Sequence, residues 1–226
     1  MNIPAPTITR LCQLFHLLKR LESEGDMRVS STGLGAEMGV GAHNVRKDIN
    51  YLGEVGEGSA GYDVVKLRQR IADRLDLTQR KKICIVGLGN LGAALLEHHR
   101  KTGVYDVAAG FDSSINRLET IQTDVPVFPA YDIADVVKSR NIELALIAVP
   151  AHAAQEAADR LIAGGIRGII NFAQVVIKPS RPEVIVRNVD LDSELLVVSA
   201  MLADRPLVRA AEFGSQKSAI QVSRKL

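Results

Sequence analysis

Only two cysteines occur in 226 residues, too few for a disulfide framework. Cys84 falls in an apolar run and Cys12 in a helical pattern, so both read as small core residues. No Cys/His cluster has metal-ligand spacing. The adjacent His98 and His99 cannot face one ion from a helix, where ligating positions lie four apart. No apolar run reaches the roughly 20 residues of a bilayer-spanning helix. The stretch Met1-Asn2-Ile3-Pro4-Ala5-Pro6 lacks the basic-then-apolar order of a secretory signal, so a cytoplasmic location is expected. A large excess of either charge is missing too, with a net charge of +2. The small imbalance is uneven. Residues 1–82 carry thirteen Lys and Arg against ten Asp and Glu (+3), and residues 83–226 fifteen against sixteen (−1). A slight basic excess at the N-terminal side suits a nucleic-acid-binding module. The 46% hydrophobic content supports folded cores rather than disorder.

The most informative stretch is Lys81-Lys82-Ile83-Cys84-Ile85-Val86-Gly87-Leu88-Gly89-Asn90-Leu91-Gly92. A strand-like run enters G-x-G-x-x-G, and residues 93–97 read as the start of a helix. That order is the dinucleotide fingerprint. Gly87 allows the tight turn, Gly89 lets a pyrophosphate approach the backbone, and Gly92 lets the helix pack against the sheet. The free N–H groups and the dipole of the helix start would face the phosphates. A second strand, 105–111, ends in Asp112, twenty residues beyond Gly92. A carboxylate there accepts from the adenosine ribose hydroxyls and repels a 2′-phosphate, which favours NAD over NADP. The bland alternative is a Gly-rich turn with a surface Asp after it. The run 144–150 reads as a fully covered parallel strand ending at Pro150, and 168–172 as another, with Asn171 and Phe172 at its carboxyl end. Helices are expected over 130–140 and 153–163, and a last strand within 183–190.

The N-terminal part is helical in pattern. Ile8, Leu11, Cys12, Phe15, Leu18 and Leu21 mark an amphipathic helix over 7–24, capped by Thr7 or Thr9 after Pro4 and Pro6 and ended by Gly25. Ser30-Ser31-Thr32 supplies caps for a short helix over 33–37, and Met38-Gly39-Val40 a tight turn. A third helix over 41–52 turns Val45, Ile49 and Leu52 inward and leaves His43, Asn44, Arg46, Lys47 and Asn50 outside. This is the order of a helix-turn-helix. Asn44 suits adenine, and Arg46 and Lys47 suit guanine edges or phosphates. A small helical bundle with a solvated face fits the same pattern. Four glycines in residues 53–61 suggest a wing, and Asp63 caps a helix over 64–75. A domain boundary is placed near residue 80. Residues 191–203 are apolar on more than one face, which calls for a second subunit. The tail from about Phe213 reads as disordered.

Together the halves resemble the Rex family of bacterial redox-sensing transcriptional repressors. The resemblance rests on Ile8-Thr9-Arg10-Leu11, Val45-Arg46-Lys47-Asp48-Ile49-Asn50-Tyr51-Leu52-Gly53, Gly61-Tyr62, the glycine fingerprint, Gly110-Phe111-Asp112, Val149-Pro150, Asn171-Phe172-Ala173 and Asn188-Val189-Asp190-Leu191. It implies an α/β chain: a winged helix-turn-helix domain over 1–80, a Rossmann domain over 81–190, and a dimer-swapped helix over 191–212. It further implies a homodimer that binds operator DNA when NADH is low and releases it when NADH binds, with no enzymatic turnover. The implied NAD(H) contacts are Gly87, Leu88, Gly89, Asn90, Leu91, Gly92, Asp112, Ser113, Val149, Pro150, Asn171, Phe172 and Ala173. The implied DNA contacts are Arg10, Ser31, His43, Asn44, Arg46, Lys47 and Tyr51. Two departures stand out. The wing reads Glu57-Gly58-Ser59 where the family carries Lys or Arg, so DNA binding would be weaker or redirected. Gln174 replaces a usual proline. The competing reading is an NAD-dependent oxidoreductase with a helical appendage; His152, read as a loop residue, is its single acid–base candidate. A CoA-binding protein is a third reading, against which Asp112 speaks.

Overall fold

The computed structural model describes residues 3–53 and 61–203. The expected wing around Glu54 and Glu57, and the tail with the end of the last helix, lie outside the described residues. Contacts divide the chain after Arg80 into two compact units.

The first unit is built on α1 (Ala5–Glu24), which buries Leu11, Leu14 and Leu18. The expected cap is corrected here. Pro4 is the N-cap and Pro6 sits in the first turn, where a missing N–H costs nothing. Thr7 is instead buried, donating its hydroxyl to Asp48. Cys12 is half-buried rather than core. β1 (Arg28–Val29) precedes α2 (Ser31–Met38), which Ser30 caps by accepting from the Gly33 N–H. Gly39, at φ +66°, makes the left-handed turn into α3 (Ala42–Asn50). Val45, Ile49 and Leu52 close the core against α1, as the stripe predicts. β2 (Tyr62–Asp63) pairs antiparallel with β1, and Asp63 caps α4 (Val64–Leu75) through the Lys66 N–H. This two-stranded sheet ties the strand before α2 to the far end of the segment read as the wing.

In the second unit, the strands among the described residues are β3 (Lys82–Val86), β4 (Asp106–Asp112), β5 (Val127–Pro129), β6 (Leu144–Ile147), β7 (Gly168–Asn171) and β8 (Ile185–Asn188). They form one parallel sheet in the order β5-β4-β3-β6-β7-β8. The chain reverses direction of travel between β3 and β6, the crevice where open α/β sheets bind ligands. Helices α7 (Ile133–Arg140) and α8 (Ala151–Ala163) cover one face, over Val86, Phe111, Ile147 and Ile169. On the other face α5 (Asn90–Thr102) sets Leu96 against Ile83 and Ile85. The β7–β8 end of that face holds Ile170 and Ile185, 41% and 70% exposed. The short α6 (Ile115–Thr120) and β5 had no counterpart in the sequence reading. The chain ends its described part in α9 (Leu191–Ala203), whose first N–H groups Asp190 caps. Leu195, Leu196, Val198 and Met201 on it are each more than half exposed.

Candidate functional site

Two surfaces carry the chemistry, one in each unit. In the second unit the strand-to-helix turn is fixed by close approach. Gly87 lies at φ +91°, and a Cβ there would meet the Ala148 carbonyl oxygen at 2.6 Å. A Cβ on Gly92 would lie 1.7 Å from the Gly87 carbonyl oxygen. Gly89 differs: its Cβ position has nothing within 4 Å. The open space lies above the first turn of α5, which has no side-chain cap and no acidic residue. Uncapped N–H groups at a helix start, with room before them, form an anion site.

Asp112 ends β4 beside this turn and is 4% exposed. Its Oδ2 accepts from the Leu88 N–H at 2.7 Å and from Arg117 Nη1 at 3.1 Å; its Oδ1 accepts from the Ser114 N–H at 2.8 Å. The carboxylate thus ties the glycine turn to the end of β4. Burial opposes its ionisation, but the Ser114 and Leu88 N–H groups and the Arg117 guanidinium outweigh that and hold its carboxyl below the usual range.

A cleft of about 660 Å³ opens at this point, within the usual span of ligand clefts, roughly 300–1,000 Å³. Gly87, Gly89, Leu91, Asp112, Ser113, Val149, Pro150 and Phe172 line it, eight of the expected cofactor contacts. The other five shape it from behind or beside. Leu88 is buried under the turn, Gly92 packs below Gly87, and Ala173 is 7% exposed. Asn90 is exposed in the first turn of α5. Asn171 is fully buried; its amide donates to the Val175 carbonyl at 2.7 Å and to Asn188 Oδ1 at 2.9 Å, so it holds the loop after β7. The sequence reading missed Arg117, Glu156 and Arg160 in the cleft wall. It also placed His152 in a loop, whereas the side chain sits in the first turn of α8 and lines the cleft. Pro150 as N-cap starts α8 two residues earlier than expected and carries His152 with it. The stripe 153, 156, 157 and 160 on that helix was the available signal.

In the first unit, α3 leaves His43, Asn44, Arg46, Lys47 and Asn50 exposed, as expected. Arg46 Nη1 donates to Ser31 Oγ at 2.8 Å, which ties α3 to the start of α2. Ser31 is 9% exposed and Tyr51 half-buried. Arg10 grips Asp48, donating from Nε to Oδ2 at 2.6 Å and from Nη2 to Oδ1 at 2.8 Å. Its first task is therefore internal: it locks α3 to α1. Asp48 is 3% exposed, whereas the Arg10 side chain is 30% exposed, so losing Asp48 leaves the guanidinium to solvent and the buried Thr7 hydroxyl without its acceptor. Asp48→Ala is expected to destabilise this unit by about 2 kcal/mol, the cost of losing hydrogen bonds to a charged group. Thermal unfolding followed by circular dichroism checks it, and a loss under 1 kcal/mol would contradict it.

A helix-turn-helix with a polar, basic reading face, on the same chain as a dinucleotide cleft, defines a ligand-responsive DNA-binding regulator. The chain belongs to the Rex family of redox-sensing transcriptional repressors. It is 35% identical over 196 residues to the Rex 1 repressor of Enterococcus faecalis, covering 85% of this chain and 89% of the relative. It is 36% identical to the Rex repressor of Desulfitobacterium hafniense, covering 91% and 98%. The family model described as a putative DNA-binding protein N-terminus matches residues 2–50, and the one described as a CoA binding domain matches 78–175. Among solved structures, the fold is similar to RSP, a Rex-family repressor. In complex with β-NAD⁺ and operator DNA it aligns with a TM-score of 0.83 at 28% identity, covering 95% of this chain and 99% of that one. In complex with β-NADH the TM-score is 0.81, with coverage of 93% and 99%.

Proposed function

We propose that this chain represses transcription according to the NADH/NAD⁺ balance, holding operator DNA while NADH is scarce and releasing it as NADH accumulates. The observation that carries the reading is the joining of the exposed α3 face to the glycine-turn cleft in one chain. The turn at Gly87, Gly89 and Gly92, with the uncapped start of α5 at Asn90 and Leu91, holds the pyrophosphate. Asp112 and Ser113 hold the adenosine ribose. Val149, Pro150 and Phe172 offer an apolar seat for the nicotinamide, which disfavours the cationic oxidised ring through its desolvation. Leu88, Asn171 and Ala173 set the shape of that seat. On the DNA side, His43, Asn44, Arg46 and Lys47 enter the major groove, Ser31 orients Arg46, Arg10 anchors α3, and Tyr51 flanks it. The site works by differential binding rather than turnover, and the protein acts in the cytoplasm, where the operators are.

The functional unit in this reading is a homodimer with α9 docked on a second copy. A helix with apolar residues on more than one face needs a partner, and the sheet face at Ile170 and Ile185 is also exposed among the described residues. Sedimentation of the purified chain tests this, a monomer at micromolar concentration being the contrary result. Two recognition helices must lie a whole number of DNA turns apart to engage both half-sites. A swing from mostly bound to mostly released needs about 5.5 kcal/mol of differential binding, which two clefts per dimer would share. The direct test is fluorescence anisotropy of a palindromic AT-rich operator library at fixed salt. Release by NADH, with equal NAD⁺ leaving the complex intact, is the expected result. Operator affinity that stays unchanged at saturating NADH would refute the switch.

A further inference from the structure

The acid expected to refuse a ribose phosphate does not stand alone. Arg117 Nη1 lies 3.1 Å from Asp112 Oδ2, and both side chains line the cleft. The Arg117 side chain is 48% exposed and that of Asp112 4%, so the arginine is the part of the pair more open to an incoming ligand. The carboxylate is already largely committed. It accepts from Leu88, Ser114 and Arg117, which fills three of about four lone-pair sites. What remains suits one ribose hydroxyl. The pair as a whole is neutral, so a second negative charge at the ribose would meet a dipole with its positive end outward, not a bare anion. Ser113, exposed in the cleft wall next to Asp112, adds a hydroxyl donor. The other arginine of the cleft is occupied elsewhere: Arg160 donates to the Ala130 carbonyl at 2.9 Å and to Glu156 at 2.5 Å.

Resting on the dinucleotide reading above, we propose that Arg117 sets how strictly this cleft refuses a phosphate on the adenosine ribose. Asp112 takes the hydroxyl of an unphosphorylated ribose. The exposed remainder of the Arg117 fork takes phosphate oxygens when they are present, a geometry that guanidinium groups satisfy in pairs of hydrogen bonds. The discrimination between NADH and NADPH is therefore graded, and it rests on a residue five positions beyond the acid.

The test is a titration of the whole protein with NADH and with NADPH, read by the emission of the reduced nicotinamide. The chain has no tryptophan to interfere with that signal. The wild-type protein is expected to bind NADPH about tenfold more weakly than NADH, the loss of one charge-assisted hydrogen bond. Arg117→Gln weakens NADH by a few-fold, through the lost brace on Asp112. It weakens NADPH by about tenfold more than that, so the gap widens to about a hundredfold. Arg117→Lys, which keeps the charge but not the paired donors, recovers part of the NADPH binding. A substitution that weakens both nucleotides by the same factor would reduce Arg117 to a support for Asp112 and overturn the proposal. So would a wild-type protein that saturates with NADH and shows no NADPH binding at millimolar concentration. A wild-type protein that binds neither nucleotide would overturn the dinucleotide reading itself.

Discussion

Gly89→Val will lock the protein on its operator. The backbone at this position, φ −67° and ψ −166°, is open to any L residue, and its Cβ site has nothing within 4 Å. The Cβ of the variant therefore meets no protein atom, and the backbone needs no left-handed conformation. The added isopropyl group fills the space before the first-turn N–H groups of α5, where the phosphates must sit. A phosphate displaced from those donors and from the helix dipole loses several charge-assisted hydrogen bonds. NADH affinity should fall at least a hundredfold, a loss of about 2.7 kcal/mol or more. Operator affinity without NADH should stay as in the unmodified protein, and NADH should no longer release the DNA. Nucleotide emission and operator anisotropy measure the two halves. Retention of NADH affinity within threefold would place the pyrophosphate elsewhere and remove the basis of the cleft assignment. The neighbouring Gly92→Ala is a poorer probe. Its Cβ would strike the Gly87 carbonyl oxygen, so loss of binding there would be confounded with loss of the turn.

The contrast between these two glycines shows what could be read from sequence. The order of strand, glycines and helix is a local pattern, and so are the α3 stripe of Val45, Ile49 and Leu52 and the Asp63 cap. Each is written within a dozen residues, where periodicity and turn chemistry decide. The fingerprint already assigns Gly89 to the ligand and Gly87 and Gly92 to the protein; what it could not show is the partner that fixes Gly87, the Ala148 carbonyl, which lies more than fifty residues beyond the turn in the chain. Arg10 and Asp48 are 38 residues apart. Each reads as a surface charge until α1 and α3 are packed together; the resemblance names Arg10 as a DNA contact, and its bond to Asp48 is visible only in the fold. Arg117 returns to Asp112 by way of α6, six residues with no buried side chain and hence no hydrophobic period to reveal them. Glu156 and Arg160 reach the cleft because β6 lies beside β3, a matter of sheet order. Asn171 was correctly placed at a strand end, but only its hydrogen bonds to Val175 and Asn188 show that its amide serves the loop.

The DNA-reading face makes the second large prediction. Replacing Arg46 and Lys47 together by alanine should cut operator affinity by a hundredfold or more, since each base-edge or phosphate contact contributes about 1–3 kcal/mol. The single variants should differ in kind. Lys47 is exposed on α3 and carries a compact charge suited to phosphate. Lys47→Ala should weaken all sequences alike and flatten the slope of log K against log salt by about one unit. Arg46 is held by Ser31 Oγ, and a fixed fork reads a base edge better than a free one. Arg46→Ala should therefore relax discrimination between matched and mismatched half-sites, and Ser31→Ala should do so in smaller measure by freeing the fork. All of these residues belong to the first unit, so NADH affinity should hold in every variant. A double variant that keeps its operator within threefold would remove α3 from the DNA. A salt slope that falls equally in both single variants would make Arg46 a second phosphate contact. The discrimination between sequences would then have to come from the other exposed side chains of the helix, His43 and Asn44.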